Sequence, residues 1–170
     1  MKNIFKNKNI LVTGGTGSIG SEIVRQLLEF DPKTIRIFAR HEDRHHRLMQ
    51  EFSSLGEDQK KLRFIIGDVR DRDRLKMAMD EIDIVFHAAA LKHVPICEYN
   101  PFEVVKTNII GTQNVIELAR DLGIEKVINI STDKAVDPIG ILGVSKLVGE
   151  KLILASYYYQ GNKITKFSCV

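Results

Sequence analysis

A short apolar strand that runs straight into three spaced glycines constrains this chain more than any other stretch. Residues 9–20 read NILVTGGTGSIG, with glycines at 14, 17 and 20. Ile10, Leu11 and Val12 make a continuous apolar run, the pattern of a parallel strand covered on both faces. In such a strand-to-helix turn Gly14 allows the tight bend, Gly17 lets the backbone approach a pyrophosphate, and Gly20 lets the new helix pack closely on the sheet. Ile19, Ile23 and Leu27, flanked by Val24 and Leu28, give that helix an apolar face. A second strand at 34–39 completes a βαβ unit, which separates this turn from a chance glycine triplet. The helix N-terminus offers free N–H groups and the positive end of its dipole to a pyrophosphate. The stretch therefore reads as a dinucleotide site.

Strands and helices alternate to the last residue. After the first unit the pattern predicts a helix at 43–55, a strand at 62–66, a helix at 71–79 and a strand at 82–87. A loop carrying Pro95 and Pro101 follows, then a long helix at 103–122, a strand at 126–130, a helix at 142–159 and a sixth strand at 164–170. Right-handed crossovers turn this alternation into an α/β fold, a doubly wound parallel sheet of the NAD(P)-binding Rossmann type. At 170 residues the chain reads as one dinucleotide-binding domain, residues 1–170, with no repeat or linker. A net charge of +3 gives no case for nucleic acid as a partner. The N-terminus MKNIFKNKN lacks a signal-peptide core, and no apolar run is long enough to span a membrane. Cys97 and Cys169 match no metal spacing and read as reduced thiols, so the expected location is the cytoplasm.

The end of the second strand bears on which nucleotide binds. NAD-binding versions of this fold place an acidic residue there, whereas this chain has Ala39-Arg40. A guanidinium grips a 2′-phosphate that a carboxylate would repel, so NADP is the expected cofactor. Thr16 and Ser18 add hydroxyls beside Ile19 in the glycine turn; Arg44 adds a second positive charge or belongs to a solvated helix start. His41 and His45 share a helix face, but no carboxylate or cysteine pattern completes a metal site. Asp68 and Val69 of GDVRD lie beside the expected adenine, where Asp68 accepts from its amino group. Asp71 has the better claim to cap the next helix. Ala88, Ala89 and Ala90 are small enough to let a dinucleotide pass over the strand ends.

TGGTGSIG, GDVRD, HAAA, the Asn108 of KTNIIGT and STDK fall in the order of the extended, nucleotide-sugar-modifying branch of the short-chain dehydrogenase/reductase superfamily, which the chain resembles. HAAALKHVPICEYNPFEVVKTNIIGTQNV followed by STDKAVDPIGILGVSK closely resembles the polysaccharide-biosynthesis proteins that are inverting UDP-N-acetylglucosamine 4,6-dehydratases. The resemblance implies hydride removal from C4, loss of the C5 proton with the 6-hydroxyl, and hydride return to C6. It assigns Asp133 as acid and Lys134 as C5 base, roles that fit if burial and mutual influence bring both pKa values toward neutrality. It also places Lys146 at the nicotinamide ribose and Asn108 among the cofactor contacts. Lys92 and His93, just past the fourth strand, point toward the crevice, where either touches cofactor phosphates or substrate, or else they belong to a solvated loop. Leu142 stands where the superfamily has a tyrosine, which leaves the C4 base open among Asp133, Lys146 and substrate-bound water.

Relatives in that family continue beyond the sixth strand into a segment that contacts the UDP-sugar, and this chain is expected to lack it. They also imply a homo-oligomer, paired through the helices at 103–122 and 142–159. Two other readings stay open: a nucleotide-sugar epimerase or reductase of the same superfamily, and a non-catalytic NADP-binding sensor.

Overall fold

Side-chain alternation along the first strand divides the core in two. The computed structural model describes residues 3–54, 59–159 and 165–170. Its strands are β1 (Asn9–Thr13), β2 (Thr34–Ala39), β3 (Leu62–Ile66), β4 (Ile84–His87), β5 (Lys126–Asn129) and β6 (Lys166–Cys169). Its α-helices are α1 (Ser18–Leu28), α2 (Glu42–Ser54), α3 (Arg72–Met79), α4 (Val94–Tyr99), α5 (Pro101–Val104), α6 (Gly111–Leu122) and α7 (Ile141–Ala155). Ile10 and Val12 of β1 join Ile35, Ile37, Val24, Leu27, Leu48 and Phe52 on the face covered by α1 and α2. Leu11 turns the other way, to Val85, Val127, Leu75, Met79, Val115 and Leu118 under α3 and α6. With both faces covered, an uninterrupted apolar strand is stable where an alternating one would not be.

Every strand pairing is parallel, in the order β3-β2-β1-β4-β5-β6. That is the doubly wound Rossmann order. It leaves a crevice outside the C-terminal ends of β1 and β4, where successive connections leave for opposite faces.

Three expectations from the sequence need correction. Residues around Pro95 and Pro101 are helical: both prolines sit in the first turn of a short helix, α4 and α5, where the missing N–H would have had no intrahelical partner. The long helix expected at 103–122 is interrupted by a π-helical turn, Val105–Ile110, closed by Gly111 N–H donating to Lys106 O. Thr107 and Asn108 inside that turn are both buried. The expected helix at 142–159 ends at Ala155 and continues as a 3₁₀ turn, Ser156–Tyr159. The expected helix end at Leu55 and strand start at Ile164 lie outside the described residues.

A buried polar chain runs beneath the crevice. Thr112 Oγ1 donates its only proton to Asn108 O (2.7 Å), so its contact with His87 Nε2 (3.1 Å) requires the ring to donate there. His87 Nδ1 is then an acceptor, and Thr13 Oγ1 donates to it at 2.7 Å. Burial, reinforced by the nearby charge of Lys146, lowers the His87 pKa from 6.5 to about 3. The unfolded chain therefore binds more protons between these values. Stability is fully present above pH 6.5 and falls as pH drops through that window. Denaturant unfolding at pH 7 and pH 4 should show about 3 kcal/mol lost through this one group. A folded His87→Leu variant should lose that component of the slope.

Candidate functional site

The glycine turn forms one wall of a cleft of about 790 Å³ at the C-terminal ends of β1 to β4. Gly14 adopts φ +66°, and a Cβ there would lie 2.7 Å from Ala89 N and 2.8 Å from the Ala88 carbonyl. Only glycine allows both the backbone conformation and the approach. A Cβ on Gly20 would strike Gly14 O and come within 2.7 Å of Gly15 Cα, so α1 starts tightly against the turn. Gly17 caps α1 without a side-chain hydrogen bond, and the first intrahelical bond at this end is Ser21 N–H to Gly17 O. The N–H groups of Ser18, Ile19 and Gly20 thus precede the helical ladder and form an anion-binding end.

Gly14, Thr16, Gly17, Ser18, Ile19, Gly20, Arg40, Arg44, Asp68, Val69, Ala88, Ala89, Ala90 and Lys92 all line this cleft. So do His93, Arg47 and Thr107, of which the sequence reading named only His93. Arg47 continues the basic wall of α2 beyond Arg44. Thr107 is 3% exposed, and its hydroxyl has no hydrogen-bond partner among the described residues, so a polar group entering the cleft would satisfy it. No spacing in KTN announces this; the π-helical turn does it. The cleft fits a dinucleotide: a bare helix N-terminus, a glycine cradle, a floor of small residues, a basic rim and an orphaned hydroxyl.

Asp68 is more committed than expected. Its Oδ2 accepts from Arg70 Nε (2.9 Å) and Nη2 (2.7 Å), its Oδ1 accepts from Arg70 N–H (2.9 Å), and Arg40 Nη1 lies 3.7 Å away. Partial burial would raise the carboxyl pKa, but the Arg70 hydrogen bonds and the two guanidinium charges outweigh it and hold the group below the usual range. Asp71 caps α3 through Arg74 N–H at 3.0 Å. His45 turns away from His41 to contact Ala39 O at 3.0 Å through Nε2.

Asn108 and Lys146 do not line the cleft. Asn108 Oδ1 accepts from Leu91 N–H (2.8 Å), and its Nδ2 donates to Leu91 O (3.1 Å) and Ser145 Oγ (3.0 Å). Its amide is spent tying the segment after β4 to α7. Lys146 Nζ donates to Ile130 O at 2.8 Å, just past β5, and burial lowers its pKa against the opposing influence of Cys169 and Glu150.

Asp133 and Lys134 occupy a 3₁₀ turn, Asp133–Ala135, capped by the Thr132 hydroxyl. Their charges lie 3.8 Å apart, with the side chains 88% and 53% exposed. The Thr132 hydrogen bond and the Lys134 charge hold the Asp133 carboxyl below its ordinary value. The expected drift of both groups toward neutrality does not occur for Asp133, because burial, the effect that would raise a carboxyl, is missing. Lys134 instead lines a second, smaller cavity of about 270 Å³ with Val94, Glu98, Val136, Ile139 and Leu142. Two residues that the sequence did not single out build this corner. Glu98 accepts from Ile141 N–H at 2.8 Å, which stabilises the start of α7. Gly143 has the Lys134 carbonyl and Pro138 against its Cα, so α7 and the STDK turn meet backbone to side. Leu142, 4% exposed, packs with Cys97 and Val104.

Comparison with known proteins places this geometry in a family. The family described as polysaccharide biosynthesis protein matches residues 10–170. An uncharacterised membrane protein of Methanocaldococcus jannaschii is 57% identical over 170 residues, 100% of this chain and 50% of the relative. The UDP-N-acetylglucosamine 4,6-dehydratase (inverting) of Campylobacter jejuni is 47% identical over 166 residues, 97% of this chain and 48% of the relative. A UDP-glucose 4-epimerase of Rickettsia bellii is 45% identical over 156 residues, 89% and 44% respectively. Among solved structures, Pen from Bacillus thuringiensis superposes with a TM-score of 0.92 at 45% identity, over 97% of this chain and 51% of that one. DesIV, a dTDP-glucose 4,6-dehydratase of Streptomyces venezuelae solved with NAD and TYD, gives 0.80 at 26% identity, over 90% and 52%. The chain thus spans about half the length of the curated relatives it matches. Among the described residues no helix is long and apolar enough to cross a membrane. A match that runs from β1 to the end of the sheet makes this chain a member of the polysaccharide biosynthesis protein family.

Proposed function

We propose that residues 1–170 are the dinucleotide-binding domain of an NADP-dependent, C5-inverting UDP-N-acetylglucosamine 4,6-dehydratase, with contacts to the UDP-sugar supplied by a further segment. The observation that carries this reading is that the glycine-lined cleft past β1 to β4 and the Asp133–Lys134 turn and Ile130–Lys146 contact past β5 lie at the same, C-terminal end of the parallel sheet. Bound NADP supplies a hydride acceptor for C4 of the sugar and a donor for C6. The residues do the rest. Arg40 and Arg44 hold the 2′-phosphate, and the N–H groups of Ser18, Ile19 and Gly20 hold the pyrophosphate. Ala88, Ala89 and Ala90 give the cofactor a floor, with the Thr107 hydroxyl beside it. Lys146 spends one of its three donors on Ile130 O and offers the others to the nicotinamide ribose. Lys134 takes the C5 proton, and Asp133 protonates the 6-oxygen as it leaves as water. The 4-hydroxyl proton released as C4 is oxidised passes to Asp133, Lys146 or substrate-bound water, and C5 regains a proton on the opposite face as the hydride returns to C6. Lys134 and Asp133 both need the substrate, or the protein that covers it, to displace solvent first.

The 45% identity to the Rickettsia epimerase favours a second reading, 4-epimerisation, in which the product keeps the substrate's mass. Leu142 offers neither reaction a hydroxyl to take the 4-OH proton, so the mass of the product decides between them. Exposed Ile110, Leu154 and Tyr158 on the α6 and α7 side support self-association of the chain.

Two measurements test the proposal. Calorimetric titration should show NADP binding at least tenfold more tightly than NAD, and Arg40→Ala should erase that difference, since a charge-assisted contact contributes about 1.5–3 kcal/mol. Equal affinity for the two nucleotides overturns the NADP assignment. With UDP-N-acetylglucosamine and NADP, and with the second half of the Campylobacter dehydratase supplied, mass spectrometry should find a product lighter by one water. Asp133→Asn or Lys134→Ala should lower its formation about 100-fold or more while leaving dinucleotide affinity unchanged. An isomer of unchanged mass selects the epimerase, and dinucleotide binding without turnover selects a sensor.

A further inference from the structure

His87 has no place in the chemistry above, yet it is 2% exposed and joined at both ring nitrogens. Its bonds all run in one sense. Ala89 N–H donates to Thr13 Oγ1 (3.3 Å), Thr13 donates to His87 Nδ1, His87 Nε2–H donates to Thr112, and Thr112 donates to Asn108 O. The first member is a residue of the cleft floor, and the last is the strut that ties Leu91 to Ser145 of α7. We propose that His87 is a positioning residue: by fixing the Thr13 hydroxyl it holds the backbone of Ala89 at the depth against the glycine turn that a dinucleotide requires. This deepens the dinucleotide reading and rests on it.

The reasoning is geometric. Thr13 is fully buried, and Nδ1 takes its proton, so its lone pairs are left to receive Ala89 N–H. Without an acceptor at that point the hydroxyl must rotate to find another one, since a buried unsatisfied donor is costly. Ala89 then loses its partner. Gly14, the next residue after Thr13, already lies against the Ala88–Ala89 peptide with no room for a methyl group, so any shift of that peptide changes the width of the cleft. An apolar side chain of similar size would preserve packing and lose this control. Asparagine keeps an acceptor near the Nδ1 position, whereas glutamine keeps a donor near Nε2.

The test compares His87→Leu, His87→Asn and His87→Gln with the unaltered 170-residue chain. In ligand-free protein, nitrogen NMR of the ring should show the neutral Nε2–H form. Amide exchange at Ala89 should be at least tenfold faster in His87→Leu and near normal in His87→Asn. Titration with NADP should find affinity weakened about tenfold in His87→Leu, within about threefold of normal in His87→Asn, and lower in His87→Gln than in His87→Asn. A folded His87→Leu variant with normal Ala89 exchange and normal affinity would overturn the proposal, as would an Nδ1–H ring in the unaltered chain. Should His87→Leu fail to fold, the two amide variants decide: equal behaviour overturns it. If the unaltered chain binds neither nucleotide, the dinucleotide reading fails, while Ala89 exchange still decides whether His87 positions that peptide.

Discussion

The contact on which the site depends is made without side chains. Where β1 and β4 end side by side, the Cα of Gly14 lies against the Ala88–Ala89 peptide, with the glycine in the left-handed region at φ +66°. Any other residue would both strain the backbone and push the two strand exits apart. That approach brings Gly14 O close under Gly20, and so sets where α1 begins and where its free N–H groups point. It also explains the run of alanines. A floor that must lie close to a turn on one side and leave space for a ligand on the other has no room for larger side chains.

Electrostatics around the cleft are graded rather than uniformly positive. Asp68 is gripped by Arg70 through three hydrogen bonds, and Arg70 also pairs with Glu103, so this carboxylate is committed to shaping the segment after β3. Arg40 is held only at 3.7 Å and is 38% exposed. A long, solvated pair of this kind contributes little. Asp68 therefore restrains Arg40 only weakly, and on the proposed reading a phosphate would displace it at little cost. Arg44 and Arg47 line the same cleft, so an anion there would meet more than one guanidinium.

What could be read from the residues, and what could not, divides along a physical line. Strands such as ILV and IVFH, and the glycine turn, announce themselves because burial on both faces and a strand-to-helix turn impose local composition. The location of Arg40 and Asp68 at the cleft follows, since it depends only on position after a strand. The prolines at 95 and 101 misled because proline both ends helices and starts them, and only the surrounding packing decides which. Asn108 was singled out, but not for what its amide does: it bonds Leu91 and Ser145, contacts that no spacing predicts. Thr107, Glu98 and Gly143 were invisible for the same reason. Each acts on a segment remote in sequence and close only after the sheet forms.

The Asp133–Lys134 turn shows why adjacency in sequence does not tune a pair of groups. Opposite charges 3.8 Å apart stabilise each other's ionised forms, so proximity moves a carboxyl away from neutrality, and here the Lys134 charge adds to the larger effect of the Thr132 hydrogen bond. Raising the carboxyl requires dehydration, and at 88% exposure the Asp133 side chain has none. The cleft is therefore set by close backbone approach, while the Asp133–Lys134 pair has its placement but not the dehydration that an acid–base role would need. Gly143 secures that placement by letting α7 press on the Lys134 carbonyl, and Glu98 secures the start of the same helix. On the proposed dehydratase reading, a sugar nucleotide covering the turn would displace water, raise the cost of the Asp133 charge and so give the carboxyl the proton that the reaction needs. Acidity would then be coupled to substrate coverage, and the pair would stay inert while the turn is open.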